Sequence, residues 1–503
     1  MTKRKLNYGR KRIILNYDEV TPDNFKEVFA QALPFFESNK KDCEYLIGVF
    51  LGDQDILRRP APNTSNINNK TVVNYAYPIT REIVGYTFGN PFELVQQNTE
   101  NEKDVQKLSD IYEYEGAYAI DTNTAIFASI CGFGYQITLP SKDINKDNTP
   151  EMPLIIDSLD PRHTFVVQSS NVGNQQIMSC IEIVDSTGRH KQYIVFTNKH
   201  KFIVDGLDYS KATIETNPIG LDPITMFENS AFLTGDWEQA IPVMNSMNQL
   251  ISDSLNDVEG TIKSLLVLLG TELEDPDVTL SDIKNKRLLT LAKANGVAGS
   301  LDAKFISPSL DSAEIQEIRT FLNDARNIIT GVPDRDNTSS GDTGAAVINR
   351  NGWTDIEIVA RLKELYFKRA KKKQVAVALK ILQSLGIIPK TLSVMDIKVD
   401  ISRNTLDNLS TKAAAFSTLV ATGELATIDA LDFSGLTNRT SEVVARGEIA
   451  KEERIKRNLE LGLDPNASSS TSGKYNYSYS YDRKNDGNNA YNENKKNNAE
   501  GDK

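Results

Sequence analysis

The chain has 503 residues, of which 39% are hydrophobic and 25% charged, and a net charge of −11. At roughly 100–200 residues per domain that length predicts two to four subdomains around a sizeable core. No apolar run reaches the ~18 residues that a membrane-spanning helix needs. The acidic balance excludes a strongly basic nucleic-acid groove, because phosphate capture is driven by an excess of cations that this composition lacks. Any contact with DNA is therefore expected to be local and weak.

The N-terminus is basic, with Lys3, Arg4, Lys5, Arg10, Lys11 and Arg12. Residues 6–9 between them are too short and polar for a signal-peptide apolar region, so the expectation is synthesis into the cytoplasm. Cys43, Cys131 and Cys180 are widely spaced and odd in number, which points to inert buried thiols rather than a disulfide framework or a zinc knuckle. The only imidazoles, His163, His190 and His200, have neither i, i+4 spacing nor a cysteine pair beside them, so no metal site is expected.

Helical periodicity appears first at Phe25, Val28, Phe29, Ala32, Leu33, Phe35 and Phe36 and resumes at Tyr45, Leu46, Val49 and Phe50. A loop rich in Pro and Asn follows over 60–70, then helical spacing over 72–85 that Gly89 to Pro91 stops. Within 151–205 the period changes to two, with apolar runs at 181–184, 193–196 and 202–204 separated by turn residues, which reads as a β-meander. A meander with helices before and after it predicts an α+β chain.

From Asp236 a long helical stripe runs through Trp237, Ile241, Met244, Met247, Ile251, Leu255, Val258, Ile262 and Leu265, with Pro242 tolerable near the first turn. Residues 271–308 are broken and charged and read as a small protruding module. Asp311 and Glu314 form a capping-box pattern ahead of a second stripe at Ile315, Ile318, Phe321, Leu322, Ala325, Ile328 and Ile329, which Gly331 and Pro333 end. The polar stretch 334–344 precedes a nearly uninterrupted helical pattern over 345–385, too long for a compact core and therefore an architectural spine that Gly352 is placed to bend. A strand-like segment follows at 394–401, then two or three helices over 405–463. Residues 465–503, rich in Ser, Asn, Lys and Tyr with almost no aliphatic side chain, are expected to be disordered.

Signatures of chemistry are missing. No G-x-x-x-x-G-K-[ST], H-E-x-x-H or G-x-S-x-G occurs, so phosphate cradle, zinc protease and serine hydrolase are all without their usual residues. The carboxylates of 272–277 read as a solvated loop face rather than a two-metal nuclease cluster. The Gly and Ser of 334–344 ahead of a helix resemble an anion nest, but Asp336 and Asp342 argue against tight phosphate capture.

Several segments resemble, in order, the portal proteins of long-tailed phages of Gram-positive hosts. They are Tyr86 with Phe88-Gly89-Asn90-Pro91, Gly132-Phe133-Gly134-Tyr135, and Asp160-Pro161 leading to Phe165-Val166-Val167. Phe196-Thr197-Asn198-Lys199-His200 and Pro223-Ile224 with Phe227-Glu228-Asn229 complete the series. Followed by helix, small module, helix, polar loop and long helix, the resemblance covers roughly residues 40–460. It implies an α+β, mainly helical portal architecture with an α/β wing at 1–235, stem helices at 236–265 and 311–331, and a clip at 266–310. A tunnel loop at 332–344, a spine helix returning to the wing at 345–401, a crown at 402–464 and the tail at 465–503 complete the division.

The implied function is that of a ring of about twelve copies at one capsid vertex, through which double-stranded DNA is packaged and ejected. The ring also docks terminase, a head-completion adaptor, and the major capsid and scaffolding proteins. The implied location is the virion, after assembly in the host cytoplasm, with no cofactor, catalytic residue, metal or membrane. The DNA-facing candidates are Arg335, Asp336, Asn337, Thr338, Ser339, Ser340 and Gly341, and the partner-binding candidates of the clip are Lys284, Lys286 and Arg287. The alternatives are a structural ring that conducts no DNA, or a phage nuclease. The tail departs from the family pattern, being rich in Asn, Tyr and Lys where an acidic one is expected.

Overall fold

A computed structural model describes residues 8–61, 67–96, 101–141, 153–184, 191–206, 211–262, 265–269, 288–290, 302–306, 312–333, 353–401, 409–423, 425–436 and 440–460. They divide into two compact units, 1–412 and 413–503. In the first, a short strand β1 (Ile13–Leu15) precedes helix α1 (Phe25–Phe50), and helix α2 (Ala76–Phe88) leads into strand β2 (Phe92–Gln96). Helices α3 (Glu102–Tyr114) and α4 (Ala117–Cys131) come next, then strands β3 (Phe133–Pro140), β4 (Leu154–Leu159), β5 (Thr164–Ser169) and β6 (Gln176–Val184). Strands β7 (Lys191–Phe196), β8 (His200–Asp205), β9 (Thr213–Thr216) and β10 (Ile224–Glu228) complete the N-terminal α+β part.

The meander β5-β6-β7-β8-β9 is antiparallel throughout, and β1 adds to its β5 edge in parallel, Ile13 opposite Val167. Alternation places Phe165, Val167, Met178, Cys180, Tyr193, Val195, Phe202 and Val204 in one buried cluster with the first half of α1. There Phe25 stacks on Phe202 with ring centroids 4.1 Å apart, and Phe29 meets the edge of Tyr193 at 5.3 Å. A second sheet, β10-β3-β4, is antiparallel. Asp222 links the two sheets: its Oδ1 accepts from Ser179 on β6 and from the Ile224 N–H, and its buried Oδ2 has no hydrogen-bond partner. Burial raises this carboxyl from 3.8 to about 6 against the lowering effect of those bonds and of Gln176. A folded pKa above the unfolded one makes the charge a liability as pH rises through that window. Asp222→Asn is therefore expected to raise stability by about 1–2 kcal/mol at pH 8 and by less at pH 5, as read by thermal unfolding.

The Gly132-Phe133-Gly134 motif has a steric reason. Gly132 has φ +88°, and a Cβ there would lie 2.0 Å from the Leu233 carbonyl oxygen; one on Gly134 would lie 2.5 Å from the Thr124 carbonyl oxygen. Gly132→Ala is expected to destabilise the first unit by about 3 kcal/mol or more, seen as a lowered denaturation midpoint.

Residues 72–75, expected to be helical, precede the helix, which starts at Ala76, and continue the irregular segment 67–71. Alternate N–H groups of this segment are claimed by helix α5 (Ile241–Ile262): Asn69 donates to Asn256 at 2.7 Å, Thr71 to Ser252 at 3.0 Å and Val73 to Asn248 at 2.8 Å. Acceptors spaced four residues apart on the helix thus meet a donor at every second residue of the segment. Helix α5 itself begins five residues later than expected, after a 3-10 turn at Glu238–Ala240, because Asp236 and Glu238 are committed to ion pairs.

Beyond α5, strands β11 (Leu265–Leu269), β12 (Leu288–Thr290) and β13 (Asp302–Ile306) form a mixed three-stranded sheet of their own in the order β12-β11-β13. Helix α6 (Ser312–Thr330) follows and packs back on α5; Asp311, the expected cap, lies outside the described residues. The spine helix α7 (Trp353–Ser384) has 32 described residues, about 48 Å, and residues 345–352, with Gly352, lie outside them. It joins three buried clusters, through Ile356, then Phe367 and Ala370, then Val375 to Leu382. The expected strand at 394–401 is three residues shorter, since Ser393 caps a 3-10 turn, Val394–Asp396, ahead of β14 (Ile397–Ile401), which pairs with β2.

The second unit holds most of helix α8 (Leu409–Ala421) with α9 (Thr427–Ser434) and α10 (Thr440–Glu460); α9 packs against α10 and buries Ala430 and Leu431. Residues 465–503 lie outside the described residues.

Candidate assembly interface

The DNA-facing candidates Arg335 to Gly341 and the clip candidates Lys284, Lys286 and Arg287 lie outside the described residues. The described structure instead exposes the apolar stripes of the three helices around them. On α5 the stripe starts in the core, with Trp237, Ile241, Met244 and Met247 buried, and then emerges, with Leu255 and Val258 exposed. The helix's polar residues Asn248 and Ser252 are the buried ones at that level, because they hold the segment 69–73. The usual sidedness of a surface helix is thereby inverted.

On α6 the inversion is stronger. Ile318, Phe321, Ile328 and Ile329 are all exposed, Phe321 at 68% and Ile328 at 80%. Its inner face is anchored by Arg326, whose guanidinium lies 4.1 Å over the Tyr75 ring. At the start of α7, Ile358, Leu362 and Leu365 repeat the pattern at i, i+4 and i+7. Isolated exposed apolar residues are ordinary, but aligned rows on three successive helices mark an interaction surface.

Buried ion pairs hold these helices in place. Lys363 of α7 pairs with Asp236, whose carboxylate also accepts from Ser129 at 2.6 Å and Asn229 at 2.8 Å. Burial lowers the Lys363 pKa, and the Asp236 charge opposes it. Two turns further on, Lys371 donates to both oxygens of Asp121, at 2.7 and 2.8 Å, and lies 5.0 Å over the Tyr112 ring and 5.5 Å over that of Phe92. Gln374 extends the network, accepting from Tyr112 at 2.8 Å and donating to Thr138 at 2.9 Å. Arg10 pairs with Glu238, both side chains fully buried, and Glu238 also receives the N–H groups of Gly9 and Gly235 at 2.9 Å. Glu182 shows the same economy on the meander: burial raises its pKa, but donors Lys191, Lys40 and His163 bring it down to about 2.

Such pairs fix position rather than perform chemistry. Each carboxylate is saturated by its own donors, and among the described residues no group of His, Cys, Asp and Glu is arranged to hold a metal ion. The three cysteines are free and buried, and burial raises the pKa of Cys131 and Cys180. No described helix is long and apolar enough to cross a membrane.

Residues the sequence reading passed over include Asp121, Asp236 and Glu238, whose partners are distant in the chain. It also passed over the cationic run Lys368, Arg369, Lys371, Lys372 and Lys373, which composition alone displays.

No curated protein matches the sequence. In backbone the chain is similar to the neck of a native GTA particle computed with C12 symmetry, at TM-score 0.41 and 13% identity over 72% of this chain and 89% of that one. It is also similar to the neck of an empty GTA particle computed with C6 symmetry, at TM-score 0.42 and 13% identity over 79% and 94%. The family described as phage portal protein, SPP1 Gp6-like, matches residues 36–454, most of the chain, and the chain belongs to that family of portal proteins.

Proposed function

We propose that about twelve copies close into a ring whose axial channel passes double-stranded DNA into and out of a capsid, at one vertex of the virion. The observation that carries the proposal is the set of exposed apolar rows on α5, α6 and α7, which a different, complementary face of a neighbouring copy, repeated head to tail, would remove from water all round a closed assembly. In this reading residues 1–235 form the wing, α5 and α6 the stem, and 266–310 the clip. Residues 332–344 form the tunnel loop, 345–401 the spine and 402–464 the crown.

Lys284, Lys286 and Arg287 then meet terminase during packaging and the head-completion adaptor afterwards. Arg335, Asp336, Asn337, Thr338, Ser339, Ser340 and Gly341 touch DNA singly, so that affinity does not accumulate. The ring acts as a conduit and not as an enzyme, is assembled in the host cytoplasm, and meets capsid and scaffolding proteins through its wing. An acidic chain suits that task, because a basic wall would hold the polyanion it must release.

Negative-stain imaging of the purified chain tests this. Rings with an open axial hole at least as wide as a DNA duplex are expected; a monodisperse monomer at high concentration would overturn the proposal.

A further inference from the structure

The outer face of α7 changes character along its length. Its exposed apolar residues end at Leu365, and the next outward positions are Arg369, Lys372, Lys373 and Lys380. Helical geometry sorts the cationic run that begins at Lys368. Lys371 turns inward to Asp121, and Lys368 is held by Glu364 and by Asp400 at 3.2 Å. Arg369, Lys372 and Lys373 are left with no ion pair among the described residues.

A fourth cation comes from the other end of the chain: Arg12 pairs with Glu228 at the end of β10, a strand that packs along α7, where Phe227 meets Phe367 with ring centroids 5.5 Å apart. Arg12, just before β1, is fixed by the two oxygens of Glu228 and donates to the Ala231 carbonyl at 3.2 Å. Lys373 feels the whole group: crowding by protein is the largest cause lowering its pKa, the charge of Arg369 is next, Glu228 opposes and Arg12 adds to the lowering. Tyr366 lies close enough for its phenol to raise the pKa of Arg12, although the Glu228 hydrogen bond is the main cause there. Tyr366, Arg369 and Lys373 are at i, i+3 and i+7, on one side of the helix. Three cations and a phenol around one committed carboxylate make a self-repelling arrangement in a chain whose net charge is −11.

We infer that Arg12, Arg369 and Lys373, with Lys372 beside them and the Tyr366 hydroxyl as a further donor, form a binding site for the phosphates of a nucleic-acid backbone. Arg369 offers a planar fork that matches phosphate bidentately, Arg12, whose fork is held by Glu228, adds charge, and lysine and tyrosine supply single donors. The cations begin where the apolar row stops, and lysine is depleted from the cores of protein interfaces, so the site falls outside the face assigned to the neighbouring copy. Naming duplex DNA as the polyanion rests on the conduit reading. One patch per subunit, repeated around a ring, gives a weak but multivalent grip on DNA that lies against the wing.

The test uses the full chain and a fluorescein-labelled DNA duplex, with anisotropy recorded over roughly 50–200 mM salt. R369Q/K373Q is expected to bind about tenfold more weakly at the low-salt end and to lose about 0.9 of salt slope per cation removed. A control that also removes two exposed cations, K390Q/K398Q, on the turn after α7 and on β14, is expected to bind as the parent does. Rings of the double variant, viewed by negative stain, should be as abundant as those of the parent. If the double variant forms rings and binds duplex with the parent's affinity and slope, the inference fails while the conduit reading stands. If it forms no rings, the cations serve carboxylates of a second copy and the phosphate site is overturned. Absence of rings from the parent itself strikes the conduit reading instead, and a parent that binds no duplex at low salt removes the site.

Discussion

Phe321→Asp combined with Ile328→Asp is expected to leave a folded chain that no longer assembles. Both side chains stand in water in the single chain, at 68% and 80% exposure, so their replacement removes little from the fold. In a closed ring each is desolvated, a gain of about 1.5–3 kcal/mol per side chain, and the aspartates turn that gain into the cost of burying unpaired charge. A closed ring repeats the loss at every interface, so the shift in assembly is steep. Sedimentation velocity should show rings for the parent and monomers for the variant, with matching circular dichroism and thermal midpoints. Rings in the variant would move the interface to another face.

The second large effect lies inside the fold. Lys371→Met leaves Asp121 buried with Gln136 as its remaining side-chain donor, at 2.7 Å, and loses two aromatic faces for the cation. Removing one partner of a buried pair typically costs about 3–5 kcal/mol, most of it the penalty of the orphaned charge. The denaturant midpoint is expected to fall accordingly, and Lys371→Met with Asp121→Leu should recover much of the loss. If the double variant is as unstable as the single one, the pair's main contribution is geometric, through Gln374 and Tyr112, and not electrostatic.

What was legible in the sequence follows from the range of the interactions. Helix α1, the stripes of α5 and α6, the helical run of α7 and the strands of the meander announce themselves through local periodicity, and the exposed row on α6 consists of residues that its stripe names. Helix α4 does not announce itself, because it is flanked by α1, α2 and β3, and its run of Ala, Thr and Ile has no polar side to set the period. The segment 69–75 misleads for a different reason: Val73 and Tyr77 have helical spacing, but α5 takes the N–H groups of Asn69, Thr71 and Val73. Ion pairs such as Lys363 with Asp236, 127 residues apart, leave no local trace. The phosphate-site cations were visible as a run, yet a run cannot tell Lys371, which faces inward, from Lys373, which does not. That distinction needs the helix to be placed on the sheet β10-β3-β4.

The seam between β1 and β5 governs the timing of folding. Arg10 and its partner Glu238 are 228 residues apart, and β1 has no neighbour until β5 has been made. At about 5–20 residues per second on a ribosome, the leading strand waits roughly 10–45 s before its anchor exists. During that interval the backbone groups by which β1 pairs have no partner strand, and making β5 is what supplies one.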